Sequence, residues 1–316
     1  MIQFENVSKL FQDGTTAVNS INLTINKGEL FVLIGPSGSG KTTTLKMINR
    51  LIDITNGTIL IDGKKISEYD IHELRWNIGY VLQQIALFPH LTIAENITVV
   101  PEMKKWTKEK IAARVDELLE MVGLEPQTYK NRKPNELSGG QQQRIGVIRA
   151  LAADPEIILM DEPFSALDPI SREKLQDDIV SLQKAIKKTI VFVTHDMQEA
   201  LKLGDRICIM KDGEIVQIGT PEELINNPVN DFVKDFIGRV SHENISFNLE
   251  QILSPLTISH FAGPIIPISS SFQETLEALS ENDQIGIEKD GAIIGLIDRQ
   301  SLIQYQLSGM KEGEKE

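Results

Sequence analysis

The sequence predicts an α/β protein whose large first domain contains a buried parallel sheet, followed by a small α+β region. Three observations support this prediction. Short apolar or β-branched runs, at 156–160 and 189–193, have the length and composition of strands buried on both faces. A glycine-rich loop at 35–43 stands between an apolar run and a helical pattern. Residues 269–306 read as helix, strand, turn, strand and helix.

Other elements of the first domain follow in chain order. Alternating apolar residues within 1–34 predict strands. The helical pattern after the glycine-rich loop carries Leu45, Ile48 and Leu51 on one face. The stretch 107–123 has apolar residues at helical spacing and ends at a glycine, which predicts a helical subdomain at about 84–150.

The last part of the first domain also carries clear local signals. Asp212-Gly213 separates two strand-like runs and predicts a hairpin turn. Residues 220–223, Thr-Pro-Glu-Glu, have the pattern of a capping box with proline at the first helical position. A helix containing Phe232 and Phe236 is expected to close the domain near Gly238.

Composition limits the classes of function. The chain has 316 residues and a formal net charge of −13, which argues against a broad surface for nucleic acid. Its single cysteine, Cys208, lies in an apolar run and is expected to be a core residue. No apolar run approaches the roughly 20 residues that span a bilayer, and no signal peptide is evident. If the protein serves transport, another chain is expected to supply the channel.

The glycine-rich loop matches the phosphate-binding pattern G-x-x-x-x-G-K-[ST] at Gly35, Gly40, Lys41 and Thr42. Backbone N–H groups and the start of the following helix would surround phosphate oxygens. Lys41 is expected to reach the outer phosphates, and the Thr42 hydroxyl to bind Mg²⁺. The predicted nucleotide-binding residues of this loop are Gly35, Pro36, Ser37, Gly38, Ser39, Gly40, Lys41, Thr42 and Thr43.

Two further sequence motifs follow the glycine-rich loop along the chain. LSGGQQQR occupies 137–144 and IILMDEP occupies 157–163. Together with the loop, these strings resemble the ATP-binding cassette (ABC) family over about the first 240 residues. Further matches are Phe11, where the family stacks an aromatic ring on adenine, and Gln83 in GYVLQQ. His195 in FVTHD matches the switch histidine, and Ser165-Ala166-Leu167-Asp168 matches the loop that crosses the dimer interface.

The resemblance implies a P-loop NTPase fold for residues 1–240, with a helical subdomain and an N-terminal antiparallel β subdomain. It also implies ATP and Mg²⁺ as ligands. Asp161 would hold Mg²⁺ through water, together with Thr42 and Gln83. Glu162 would act as general base on the attacking water, and His195 and Gln83 would complete the catalytic set. Phe11 could instead be a core residue.

The resemblance further implies a head-to-tail homodimer with two ATP molecules between the chains. In the family, the segment formed here by Ser138, Gly139, Gly140 and Gln141 serves the γ-phosphate on the other subunit. Asp168 lies in the loop that crosses the same interface. A single chain therefore cannot complete a site.

Within the family, the chain looks closest to importer ATPases for quaternary ammonium solutes such as glycine betaine, carnitine and choline. Two permease subunits and an extracellular binding protein are the implied partners, at the cytoplasmic face of a bacterial cell membrane. Another betaine-like compound or an amino acid remains an alternative substrate. A soluble ABC protein that acts on DNA or ribosomes, and a pseudo-ATPase, are the alternative classes.

Residues 241–316 resemble a single CBS motif, most clearly in DGAIIGLIDRQSL. Such modules bind adenine-containing ligands, including cyclic dinucleotides, and normally work in pairs. The second motif is not recognisable here, so the pair could be degenerate or completed across a dimer. A packing or dimerisation role is the alternative. The charged tail KEGEKE is expected to be disordered.

Overall fold

The computed structural model describes residues 1–165, 167, 169–245, 249–254, 261, 263–268, 270, 272–289 and 292–302. The chain divides into two compact units, Met1–Lys234 and Asp235–Glu316. Among the described residues, no helix combines the length and the apolar character that crossing a membrane requires.

The first unit begins with an antiparallel β subdomain. Its strand order is β2-β1-β4-β5. Alternation along β2 turns Ile21, Leu23 and Ile25 into the core, where each is at most 4% exposed. The strands are β1 (Ile2–Leu10), β2 (Thr16–Ile25), β4 (Asn56–Ile61) and β5 (Lys64–Lys65).

A six-stranded sheet forms the centre of the first unit, in the order β10-β9-β3-β8-β7-β6. Every residue of β3, β7 and β8 is buried, as expected for parallel strands covered on both faces. Only the edge strand β10 is antiparallel, and the turn at Asp212 and Gly213 has positive φ at both positions, of 51° and 80°. The strands are β3 (Leu30–Ile34), β6 (Ile78–Val81), β7 (Ile157–Asp161), β8 (Thr189–Thr194), β9 (Arg206–Lys211) and β10 (Glu214–Gly219).

Ten helices of four or more residues precede residue 246 in the described part of the chain. Helix α9 begins after the predicted cap, Thr220, and α4 begins after Thr107, the first residue of the predicted helical stretch. The ten helices are α1 (Lys41–Ile48), α2 (Ile71–Trp76), α3 (Ile93–Met103), α4 (Lys108–Met121), α5 (Pro126–Tyr129), α6 (Gly139–Leu151), α7 (Pro169–Ile186), α8 (Met197–Leu203), α9 (Pro221–Asn226) and α10 (Asp231–Ile245).

Two helix boundaries differ from the sequence-based expectation. Helix α1 ends at Ile48, so Leu51 lies beyond it and is 48% exposed. Helix α10 continues through Gly238 to Ile245. A glycine inside a helix costs only about 1 kcal/mol, so it does not by itself end one.

The second unit contains a three-stranded sheet in the order β11-β12-β13. The expected helix, strand and strand are α11 (Phe272–Glu281), β12 (Gln284–Lys289) and β13 (Ala292–Asp298). Strand β11 (Ile265–Pro267), parallel to β12, was not expected. The α+β class of this region is therefore confirmed. The predicted turn at Asp290-Gly291 and the tail lie outside the described residues.

Candidate functional site

The glycine-rich loop connects the end of β3 to the start of α1. Two of its glycines are required by close backbone approaches. A Cβ on Gly35 would lie 2.1 Å from the carbonyl oxygen of Met210, and one on Gly40 would lie 2.4 Å from that of Ala17. Gly40 also has a φ of 98°, which side chains other than glycine rarely adopt. The loop therefore packs tightly between β9 and β2.

The side chain of Lys41 lies inside this loop. Its ammonium group donates to the carbonyl oxygens of Gly35 and Pro36, at 2.7 and 2.9 Å. Burial lowers the pKa of Lys41, and the carboxylates of Glu162 and Asp161 partly oppose that shift. The loop thus surrounds the ammonium with acceptor oxygens, the same kind of group that a phosphate would present to it.

Asp161 ends β7 beside the start of α1 and is only 4% exposed. Its Oδ1 accepts a hydrogen bond from the Thr42 hydroxyl at 2.9 Å, and its Oδ2 accepts one from the Tyr80 hydroxyl at 3.2 Å. The Lys46 ammonium lies 3.9 Å from Oδ2. Burial, followed by the charge of Asp161, raises the pKa of Tyr80, so its hydroxyl stays protonated and can donate.

The donor set fits Mg²⁺. The Thr42 hydroxyl and Oδ1 of Asp161 lie 2.9 Å apart. Mg²⁺ binds oxygens of this kind, and waters and substrate phosphates complete its coordination. Within the described ranges there is no cluster of three or more His, Cys, Asp or Glu side chains that could hold a metal. A nucleotide-dependent Mg²⁺ site needs no such cluster.

The carboxylate of Glu162 contacts two residues that lie far from it in the sequence, Gln83 and His195. Its Oε2 accepts from the Gln83 amide nitrogen at 3.2 Å and lies 3.2 Å from Nδ1 of His195. The backbone of Glu162 has a φ of 45°, in the left-handed region. Its N–H donates to the carbonyl oxygen of Val193 on β8. Non-glycine residues in this region are strained, and such strain often marks functional sites.

These groups surround one open cleft of about 550 Å³. It is lined by Ser37, Gly38, Ser39, Gly40, Lys41, Thr42, Thr43, Gln83, Glu162 and His195, all predicted, together with Thr15, Thr16 and Ala17. The sequence did not predict a role in the site for Thr15, Thr16, Ala17 or Tyr80. Sequence signals were available, because residues 15–17 follow Phe11 in the string KLFQDGTTAV and Tyr80 belongs to GYVLQQ.

The remaining predicted residues lie elsewhere. Phe11 does not line the cleft; it is 38% exposed, with the Lys9 ammonium 5.1 Å from its ring centroid, so the core alternative is wrong. Ser138 caps α6, its hydroxyl accepting from the Gln141 N–H while Gln141 accepts from the Ser138 N–H. Neither these two residues nor Gly139 and Gly140 line the cleft of their own chain. Asp168 lies outside the described residues.

A parallel sheet with a phosphate loop after β3, adjacent acids at the end of β7 and a histidine after β8 defines a P-loop ATPase. The ABC transporter family model matches residues 18–165. The glycine betaine/carnitine/choline transport ATP-binding protein OpuCA of Bacillus subtilis is 52% identical over 304 residues, which cover 96% of this chain and 77% of that protein. This chain belongs to the ABC transporter family, among its ATP-binding proteins, which couple ATP hydrolysis to transport.

Other comparisons agree. The choline transport ATP-binding protein OpuBA of Bacillus subtilis is 59% identical over 239 residues, or 76% of this chain and 62% of that protein. The chain thus spans less than two thirds of the length of some relatives. The dimeric ATP-binding cassette MJ0796, in a post-hydrolysis state bound to ADP and Pi, matches with a TM-score of 0.63 and 40% identity. That match covers 70% of this chain and 99% of the cassette. The predicted family and fold class are confirmed.

Proposed function

We propose that this chain binds ATP with Mg²⁺ and hydrolyses it to power the import of quaternary ammonium solutes, such as glycine betaine, carnitine or choline. The observation that best supports hydrolysis is the meeting of Gln83 and His195 on the Glu162 carboxylate, facing the phosphate loop. The names of two similar transport proteins, OpuCA and OpuBA of Bacillus subtilis, support the solute class. Another betaine-like compound or an amino acid is the alternative.

In the proposed reaction, the loop N–H groups and Lys41 bind the phosphates of ATP. Lys41 exchanges its bonds to the carbonyls of Gly35 and Pro36 for bonds to the outer phosphate oxygens. Thr42 and Asp161 would hold Mg²⁺, which supplies neutralisation of developing phosphate charge. Glu162 accepts a proton from the attacking water, while Gln83 and His195 orient its carboxylate. Phe11 would stack on the adenine ring.

We also propose that two copies pair head to tail. The hydroxyl of Ser138 and the N–H groups of Gly139 and Gly140 stand at the exposed start of a 13-residue helix, away from the chain's own cleft. Such a helix start favours an anion, and a second chain's γ-phosphate would supply one. The loop containing Asp168 would cross the same interface. The dimeric state of the similar cassette MJ0796 supports this arrangement.

A second cleft supports the proposed docking of a permease subunit at the cytoplasmic face of a bacterial cell membrane. This cleft, of about 460 Å³, lies between the strand that leads to Gln83 and helices α3 and α6. Leu82 and Phe88 line it, at 37% and 44% exposure. Exposed apolar side chains grouped in this way are typical of protein contact surfaces. An extracellular binding protein would deliver solute to the permease.

For residues 241–316 we propose an accessory domain with a CBS-like fold that binds a cyclic dinucleotide or another adenine nucleotide. The helix, paired strands and small apolar core of this region support it. Packing or dimerisation is the alternative role. Calorimetric binding of a cyclic dinucleotide to the full chain, but not to a chain ending at Ile245, is the expected result; equal binding by both would reject the proposal.

Transport in vesicles tests the proposed function. The subunit is reconstituted with the permease and binding protein of a quaternary ammonium importer, and uptake of labelled glycine betaine, carnitine, choline and a neutral amino acid is measured. We expect ATP-dependent uptake of the quaternary ammonium solutes with the wild-type subunit and little with Glu162→Gln. Uptake of the amino acid alone would move the assignment to the alternative substrate. Uptake unaffected by Glu162→Gln would reject the ATPase role.

A further inference from the structure

The hydroxyl of Tyr80 reaches the metal-binding acid across two neighbouring strands. Tyr80 on β6 pairs with Leu159 on β7, and Asp161 lies two residues further along β7. Because side chains alternate along a strand, Leu159 and Asp161 lie on the same face of the sheet. The Tyr80 hydroxyl donates to Oδ2 of Asp161 at 3.2 Å. A tyrosine is therefore long enough to span the offset between the two strands.

The two oxygens of Asp161 have different partners. Oδ1 faces the Thr42 hydroxyl, whereas Oδ2 faces Tyr80, with Lys46 further away at 3.9 Å. Among the described residues, the Lys46 ammonium at 3.9 Å is the partner that Oδ2 would keep without the Tyr80 hydroxyl. A buried acceptor that loses its hydrogen bond is destabilised, so the carboxylate would turn toward other donors. The orientation of Oδ1 toward Thr42 therefore depends on what holds Oδ2.

We propose that Tyr80 is a positioning residue for magnesium: its hydroxyl fixes the rotation of the Asp161 carboxylate so that Oδ1 stays aimed at Thr42 and the nucleotide. The proposal rests on the proposed Mg²⁺-ATP site. Partners that hydrogen-bond a metal ligand from behind typically change metal affinity by about 10- to 100-fold when removed. The aromatic ring of Tyr80 packs against the core, so phenylalanine can replace it with loss of the hydroxyl alone.

The test compares Tyr80→Phe with Tyr69→Phe in the full chain that also carries Glu162→Gln, so that ATP persists. Tyr69 is the matched control, because its hydroxyl donates to the carbonyl of Ile61 and does not line the cleft. Mn²⁺ binding at saturating ATP is followed by electron paramagnetic resonance, and ATP affinity is measured in EDTA. We expect Tyr80→Phe to weaken Mn²⁺ binding about 10- to 100-fold with unchanged ATP affinity in EDTA.

A second readout separates positioning from general damage. In chains with Glu162 intact, Tyr80→Phe should raise the Mg²⁺ concentration for half-maximal hydrolysis, with turnover largely restored at saturating Mg²⁺. Mn²⁺ affinity within twofold of the control would overturn the proposal. Equal losses of Mn²⁺ binding and of metal-free ATP binding would also overturn it, because they indicate disturbed packing. If the control itself binds no Mn²⁺ with ATP, the proposed site fails, whatever Tyr80 does.

Discussion

At the scale of single residues, Glu162 is constrained from several directions. Its N–H donates to the carbonyl of Val193, and its own carbonyl accepts from both the N–H and the hydroxyl of Ser165. These bonds hold a backbone with positive φ that would otherwise cost of order 1–3 kcal/mol. The carboxylate of Glu162 contacts Gln83 and His195, which hold it in place. The strained backbone of Glu162 therefore carries a side chain with a fixed orientation.

Replacing Glu162 by Gln tests this carboxylate as the general base. The amide keeps the size and an oxygen acceptor but cannot take up a proton from water. We expect ATP binding to persist while hydrolysis falls about 10²- to 10⁴-fold. Fluorescent-nucleotide binding and phosphate release measure the two properties. Glu222→Gln, on the exposed first turn of α9, is the matched control and should match the wild type. Hydrolysis within a few-fold of that control would exclude Glu162 as base.

At the scale of elements, α3 shows how hydrogen bonds between neighbouring residues define the position at which a helix begins. Thr92 accepts a hydrogen bond from the N–H of Glu95, whose carboxylate accepts one from the N–H of Thr92. Each residue therefore satisfies a donor that the first helical turn leaves unpaired. Thr92 contributes a hydroxyl, whereas Glu95 contributes a titratable carboxylate. The two halves of the cap can therefore be tested separately.

Thr92→Ala removes the acceptor for the Glu95 N–H. We expect the free energy of unfolding of the first unit to fall by about 1 kcal/mol, measured by urea denaturation. Thr92→Ser is the matched control, since serine provides the same oxygen and should remain close to the wild type. An alanine variant as stable as the serine variant would show that α3 does not depend on this cap.

The Glu95 half of the cap predicts a pH dependence. The hydrogen bonds from Thr92 lower the pKa of Glu95 below its ordinary value. An acid with a lowered pKa in the folded state stabilises that state above its unfolded pKa of about 4.3, and this contribution is lost as the pH falls below that value. Wild type should therefore be more stable than Glu95→Gln at neutral pH, and the difference should vanish in acid. A difference that grows as the pH falls would contradict the assignment.

At the scale of the whole molecule, the separation of the α6 start from the chain's own cleft leads to a test of shared sites. We mix subunits carrying Ser138→Arg with subunits carrying Lys41→Ala. In a head-to-tail heterodimer, one site then carries both lesions and the other carries neither. We expect one ATP bound per heterodimer by equilibrium dialysis, whereas each mutant homodimer is damaged at both sites.

Matched mixtures complete this experiment. Wild-type subunits mixed with Ser138→Arg subunits should keep one undamaged site, and wild type alone should keep two. Two equivalent sites in the double-mutant heterodimer would contradict the head-to-tail arrangement. No binding in any mixture with Ser138→Arg would instead mean that this substitution damages its own chain.

The family of this protein and most residues of its cleft were predictable from the amino-acid sequence. The loop at 35–43 and the acids 161–162 follow from local spacing, because a strand, a tight turn and a helix start are encoded by adjacent residues. The α+β class of the last region followed from alternation in the same way. Local signals were insufficient for α10, where the small cost of an internal glycine did not end the helix.

Contacts between residues that are distant in the sequence were not predictable from it, because they depend on the folded arrangement of the strands. Tyr80 and Asp161 are 81 positions apart and share a hydrogen bond because β6 and β7 became neighbours in the sheet. Thr15, Thr16 and Ala17 line the cleft because the β subdomain packs its second strand beside the phosphate loop. Strand order and sheet packing depend on the burial of apolar side chains from the whole unit, and no single segment encodes them.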